Sequence, residues 1–277
     1  MSAVTRCDWA MRKGRVISEH DLDARRPEGD TTLEKVTLDV GLLEQRVLRF
    51  APGRSLERGE DGRDELLYVA AGRATLLLDG GRHPLEPDTG AYVRAGERYA
   101  VENKGPDELL VVSVASPPSA LPDGEGRGAR RVTVRFADQP ELRADAKRTF
   151  RYLVNQDAGC AQVTQFVGVV QPCRAPDHSH TYDEVGYVVE GRGTAHLGGE
   201  QIPLAPGSCF HLPPEQVHCI ENTGPGVMRI LGVFHPSGDP ASRSYDAGGS
   251  KGNKLTQKTS NTTQTNTWIR THKEGTE

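Results

Sequence analysis

His178-Ser-His180-Thr-Tyr-Asp-Glu184 decides how this chain reads, together with His218 further along. The four side chains offer three imidazoles and one carboxylate. That set suits a divalent first-row transition metal, with borderline nitrogen ligands and one hard oxygen. Residues two apart on a β-strand point to the same face, so His178 and His180 can grip one ion together. Glu184 keeps that parity if the strand resumes after a short turn. His218 then reaches in from a second strand facing the first.

The surroundings extend the pattern. The first block reads Pro172-Cys-Arg-Ala-Pro-Asp-His178-Ser-His180, then Glu184, then Gly191. The second reads Pro206-Gly207, then Pro213-Pro214-Glu-Gln-Val-His218, then Asn222. These blocks resemble the two motifs of the cupin superfamily. The resemblance implies an all-β fold, a small antiparallel β-barrel of the double-stranded β-helix, jelly-roll-like type with a metal inside. It also implies that His178, His180, Glu184 and His218 are the four ligands. One departure is visible: Glu215 stands where the second motif usually has Gly, so the turn before His218 is expected to differ in shape.

A weaker copy lies upstream. Sliding the sequence by 119 residues sets Glu65 on Glu184, Gly72-Arg73 on Gly191-Arg192, Thr75 on Thr194, Pro87 on Pro206 and Asn103 on Asn222. Self-similarity of this kind means two copies of one supersecondary plan, and the chain resembles a bicupin. In this alignment Gly59 and Asp61 take the places of His178 and His180, and Tyr99 that of His218. A single carboxylate does not hold a transition metal against water, so the first barrel is expected to be metal-free. The resulting organisation is an arm over 1–33, a metal-free barrel over 34–115, a linker over 116–130, a metal-binding barrel over 131–240 and a tail over 246–277. The linker has three prolines and three glycines, which disfavour regular structure. Arg131–Phe136 is read as the first strand of the second barrel. The tail is Ser-, Thr-, Asn- and Lys-rich and lacks a core face; it is expected to be disordered or appended.

Composition narrows the classes. Of 277 residues, 34 are Lys or Arg and 38 Asp or Glu, closely interspersed, for a net charge of −4. No basic face emerges, so nucleic acid is not an expected partner. No apolar run approaches the roughly 20 residues of a membrane helix. The first residues lack the apolar core of a signal peptide, so a cytoplasmic protein is expected. The five cysteines show no CxxC spacing, which fits a reducing compartment without disulfides. A homodimer is compatible with this reading.

Beyond the ligands, alternation from Glu184 points Gly186 and Val188 inward, Gly186 leaving room beside the metal and Val188 making an apolar floor. Tyr182 offers a phenol near the ligands. His211 lies on the strand leading to the second motif and is a candidate for proton transfer, with a satisfied wall histidine as the alternative. Glu184 could act as a base, and Arg151 could receive a substrate carboxylate. One divalent metal is expected as cofactor. Cupins with three His and one Glu are often dioxygenases, so the resemblance favours Fe(II) and a small enolic or phenolic substrate that chelates it. Mn, Ni, Co or Zn would fit the same ligands and permit isomerase, lyase or hydrolase chemistry on a small carbonyl or sugar-acid compound. A non-catalytic small-molecule binding protein is a third reading.

Overall fold

The computed structural model describes residues 13–119 and 130–242. The expected tail, most of the linker and Cys7 lie outside the described residues. The described chain is built of antiparallel strands joined by tight turns, with three single-turn 3-10 helices. A short strand β1 (Arg15–Ser18) precedes a first set: β2 (Thr32–Asp39), β3 (Glu44–Phe50), β4 (Gly53–Arg54), β5 (Asp64–Ala71), β6 (Ala74–Leu78), β7 (Gly81–Leu85), β8 (Thr89–Val93), β9 (Tyr99–Asn103) and β10 (Leu109–Ser116). After β11 (Thr133–Arg135) and β12 (Leu142–Arg143) the pattern repeats: β13 (Arg148–Val154), β14 (Thr164–Val170), β15 (Cys173–Arg174), β16 (Asp183–Glu190), β17 (Gly193–Leu197), β18 (Glu200–Leu204), β19 (Ser208–Leu212), β20 (His218–Asn222) and β21 (Met228–His235). From β5 and β16 onward the two sets match strand for strand at the offset of 119, and the fold is a pair of jelly-roll barrels.

Each barrel pairs a large sheet with a four-stranded one. The orders are β11-β8-β5-β10-β3-β2 with β4-β9-β6-β7, and β1-β19-β16-β21-β14-β13-β12 with β15-β20-β17-β18. Strand alternation explains why the large sheets read as continuous apolar runs. In β5, Leu67 and Val69 face the first barrel's interior, while Leu66 and Tyr68 face outward. In β16, Val188 faces inward, while Val185 and Tyr187 face outward. The outward residues of both sheets form one shared core between the barrels. A sheet buried on both faces has no polar side to alternate with.

The strand orders correct the expected boundaries. Arg15–Ser18 caps the edge of the second barrel through β19, in the register Arg15↔His211 to Ser18↔Ser208. Thr133–Arg135 caps the first barrel through β8, Thr133 facing Ala91 and Arg135 facing Thr89. The arm therefore belongs to the second barrel's sheet, and the strand expected to open the second barrel belongs to the first. Each half covers an open edge of the other, where unpaired backbone groups would otherwise be left. Buried Glu19 follows β1, accepting from the Tyr187 hydroxyl at 3.0 Å and pairing with Arg49 at 2.8 Å. The stretch between β11 and β13 holds a 3-10 turn over Phe136–Asp138, with only two residues of strand in β12. Among the described residues no helix is long and apolar enough to cross a membrane.

Candidate metal centre

The second barrel's interior holds a cavity of about 100 Å³ lined by His178, His180, Glu184 and His218. Its geometry follows from one backbone feature. His178 and His218 form an antiparallel bridge, with the His218 N–H donating to the His178 carbonyl at 2.8 Å and the reverse bond at 3.0 Å. Directly opposed residues set side chains side by side, and the two rings lie 4.4 Å apart. The His180 ring lies 4.8 Å from that of His218, and its Nε2 is 3.1 Å from Glu184 Oε2.

The three imidazoles are held alike. Nδ1 of His178 meets the Pro176 carbonyl at 3.0 Å, that of His180 the Tyr182 carbonyl at 2.7 Å, and that of His218 the Gln216 carbonyl at 2.9 Å. A carbonyl can only accept, so Nδ1 carries the hydrogen and Nε2 keeps its lone pair. This is how metal-binding histidines are oriented by their outer partners. His180 Nε2 then faces a carboxylate oxygen at 3.1 Å, an arrangement that a proton or a metal cation shared between them would satisfy. The ligand atoms of His180, Glu184 and His218 lie within 4.8 Å of one another and could hold a metal ion; His178 stands beside this trio. Burial lowers the pKa of His178, and lowers that of His218 to about 3 with help from the neighbouring His178 and His180. Both rings are therefore neutral at ordinary pH, as ligation requires.

An aromatic stack supports the centre. Tyr182 lies flat on His180, with ring centroids 4.3 Å apart, and on Phe234 at the same separation. Its hydroxyl donates to the Asp239 carbonyl at 3.2 Å, and burial pushes its pKa up. Tyr182 lines the cavity, with its hydroxyl engaged by a backbone carbonyl and its ring packed on His180. Gly186 and Val188 do face inward, yet Gly186 leaves no open room: the Phe210 ring fills the space a side chain would take. His211 points to the opposite face of β19, where its Nε2 lies 2.8 Å from Asp183 Oδ1, and it does not line the metal cavity. Arg151 also points away, donating to the carbonyls of Phe136 and Ala137 and lying over the Phe136 ring. Strand parity accounts for both corrections, because residues one apart face opposite sides.

The same parity brings Arg148 and Phe150 to the cavity, two residues the sequence reading passed over. Phe166, Phe210, Ile230 and Phe234 complete the apolar wall. The turn before His218 also differs from expectation. Glu215 adopts the left-handed conformation at φ 64°, much as its counterpart Gly96 does at φ 82°. The turn thus keeps the shape a glycine would give it.

The first barrel shows what replaces the ligands. Arg58 and Tyr99 form the bridge that corresponds to His178 and His218, with bonds of 2.8 and 2.9 Å. The Gly96 N–H donates to the Glu60 carbonyl as the Glu215 N–H donates to that of His180. Arg58 and Glu60, not Gly59 and Asp61, therefore occupy the positions of His178 and His180; the extra residue falls between Glu60 and Glu65. Buried Glu65 accepts from Tyr99 at 3.1 Å and from Ser113. Burial raises its pKa, while Ser113, Arg58 and Tyr99 pull the other way.

Comparison with known proteins agrees with this architecture. The cupin domain family matches the chain twice, over residues 46–115 and 166–234, and the chain belongs to that family. A candidate glyoxylate-induced protein of Pseudomonas aeruginosa superposes with a TM-score of 0.69 at 18% identity, covering 80% of this chain and 88% of that one. A deletion mutant of Bacillus subtilis oxalate decarboxylase superposes with a TM-score of 0.65 at 14% identity, covering 80% and 77%. At these identities the likeness is one of fold. An uncharacterized protein of Methanocaldococcus jannaschii is 37% identical over 60 residues, 21% of this chain and 48% of its own length. The match spans about half the length of that relative.

Proposed function

We propose that the second barrel is the active site of a metal-dependent dioxygenase acting on a small, metal-chelating enolic substrate. His178, His180 and His218 hold the metal through Nε2, and Glu184 holds it through its carboxylate. The observation that carries the reading is the set of three imidazoles pinned at Nδ1, with the ligand atoms of His180 and His218 gathered around the Glu184 carboxylate and His178 beside them in one cavity. A bound Fe(II) would supply electron density to O₂ and polarise an oxygen of the chelating substrate. Phe150, Phe166, Phe210 and Phe234 keep bulk water from the substrate. Tyr182 keeps His180 in its plane. The Glu184 oxygen turned away from His180 is placed to take the proton of an enolisable substrate. Both atoms of O₂ enter the product, so no external reductant is needed. A cavity of about 100 Å³ is smaller than the roughly 150 Å³ that encloses benzene, which favours an enolic over a phenolic substrate.

A non-redox lyase acting on a small acid is the second reading. It is supported by the barrel pair shared with oxalate decarboxylase and by a guanidinium on the cavity wall. Oxygen uptake by the Fe(II)-loaded chain, against turnover by the Zn- or Mn-loaded chain under strict anaerobiosis, separates the two. Full turnover without oxygen would remove the dioxygenase reading.

A further inference from the structure

We infer that Arg148 is the carboxylate-binding residue of this cavity and that the substrate is a small 2-oxo or enolic carboxylate. This rests on reading the second barrel as a metal-dependent small-molecule site, and it adds the substrate's charge and shape. Arg148 opens β13 and lines the cavity beside His178. A tight turn fixes its position: the Ala144 and Asp145 N–H groups donate to the Arg148 carbonyl at 3.0 and 3.2 Å. Its Nε donates to Asp145 Oδ2 at 2.8 Å, and Asp145 Oδ1 in turn accepts from the Lys147 N–H at 2.9 Å. The guanidinium is thus held from one edge. Its Nη2 is buried and meets no acceptor.

A buried guanidinium N–H without an acceptor is costly. Phe150, Phe166 and Val170 on the neighbouring wall have no acceptor side chains, and among the described residues Nη2 bonds none of the acceptors the cavity does hold, Thr149, Glu184 and Ser242. The Arg148 charge is felt at His178, whose pKa it helps to lower. A carboxylate oxygen on Nη2 would satisfy the orphan donor. The oxygen on the adjacent carbon of a 2-oxo acid or its enol would then point toward His180, Glu184 and His218. Asp145 already holds Nε, so the contact is a single charge-assisted bond and not a two-pronged clamp. The cavity's small volume of about 100 Å³ favours a small acid over a ring-sized one.

The test uses the full chain, Zn-loaded and metal-stripped, with pyruvate and its uncharged methyl ester as probes in titration calorimetry. Metal content is measured on the same samples. Arg148→Gln should weaken pyruvate binding about 10- to 100-fold, leave the methyl ester within about twofold and leave metal content unchanged. Arg148→Lys keeps the charge but not the planar reach and should lose part of the affinity, which gives a readout if the Gln variant does not fold. Equal pyruvate affinity across the variants, equal affinity for acid and ester, or no binding of pyruvate by the parent chain would each overturn the inference. Intact zinc binding without dependence on Arg148 sinks this inference alone. Failure to bind metal, with the dependence on Arg148 intact in the stripped protein, sinks the metal reading alone.

Discussion

Replacing Gly186 with Ala probes the packing that shapes the cavity. A Cβ at this position would lie 2.0, 2.4 and 2.7 Å from three atoms of the Phe210 ring. Ordinary carbon contacts sit at about 3.5–4.0 Å, so the ring must retreat by roughly 1.5 Å. Gly186 and Phe210 face each other in register across β16 and β19, and Phe210 is fully buried. The ring can only move toward the cavity it lines, and it takes its neighbours with it. Overpacking of this kind costs about 1–3 kcal/mol. At about 2–4 °C per kcal/mol for a chain of this size, the melting temperature should fall by roughly 2–12 °C. Phe210→Ala alone should cost about 3–5 kcal/mol through the cavity it leaves. In the double variant the added methyl meets no ring, so the Gly186→Ala penalty should largely vanish. Melts and urea titrations on metal-stripped protein measure the cycle without a contribution from metal binding. A Gly186→Ala midpoint within a degree of the parent, or strict additivity in the double variant, would refute the packing argument.

Three further outcomes are expected. The metal-stripped protein should lose stability as pH falls below about 6.5, because His178 and His218 hold fewer protons folded than unfolded; His218 alone, lowered to about 3, contributes a loss of roughly 2 kcal/mol by pH 5. Urea midpoints flat from pH 7 to pH 5 would count against neutral, buried imidazoles. Glu215→Gly should raise stability by about 0.5–1 kcal/mol by relieving a left-handed residue, which an unchanged or lower midpoint would contradict. Elemental analysis should give one metal per chain, strongly reduced by His218→Ala and unchanged by Tyr99→Phe; two equivalents per chain would refute the single site.

The barrel pair was legible because the strand set repeats at one fixed offset, and because His178, His180, Glu184 and His218 stand in local contexts of their own. Inward and outward positions along β16 followed from parity alone. What parity could not supply was the occupant of the space opposite Gly186, because Phe210 comes from another strand. The exchange of β1 and β11 was illegible for a related reason. An edge strand of four or three residues carries too little pattern to name its sheet, and its partner is chosen by which edge is left open. The match of Arg58 with His178 was hidden by one inserted residue, which shifts every position before Glu65. Arg148 was not legible because it opens β13, where no apolar alternation precedes it to mark which face it takes.

Arg58 gives the two halves different dependencies on their surroundings. The guanidinium beside Glu65 is part of the polypeptide and comes with translation, so the first barrel's internal charge does not depend on trace-element supply. A cation held in the second barrel would have to be acquired, and chelation or scarcity could take it away. Because β11 ties the acquiring half to the self-sufficient one, and β1 ties it back, loss of the ion should leave a folded vessel ready to be refilled. Demetallation would then be a reversible change of state and not a route to degradation.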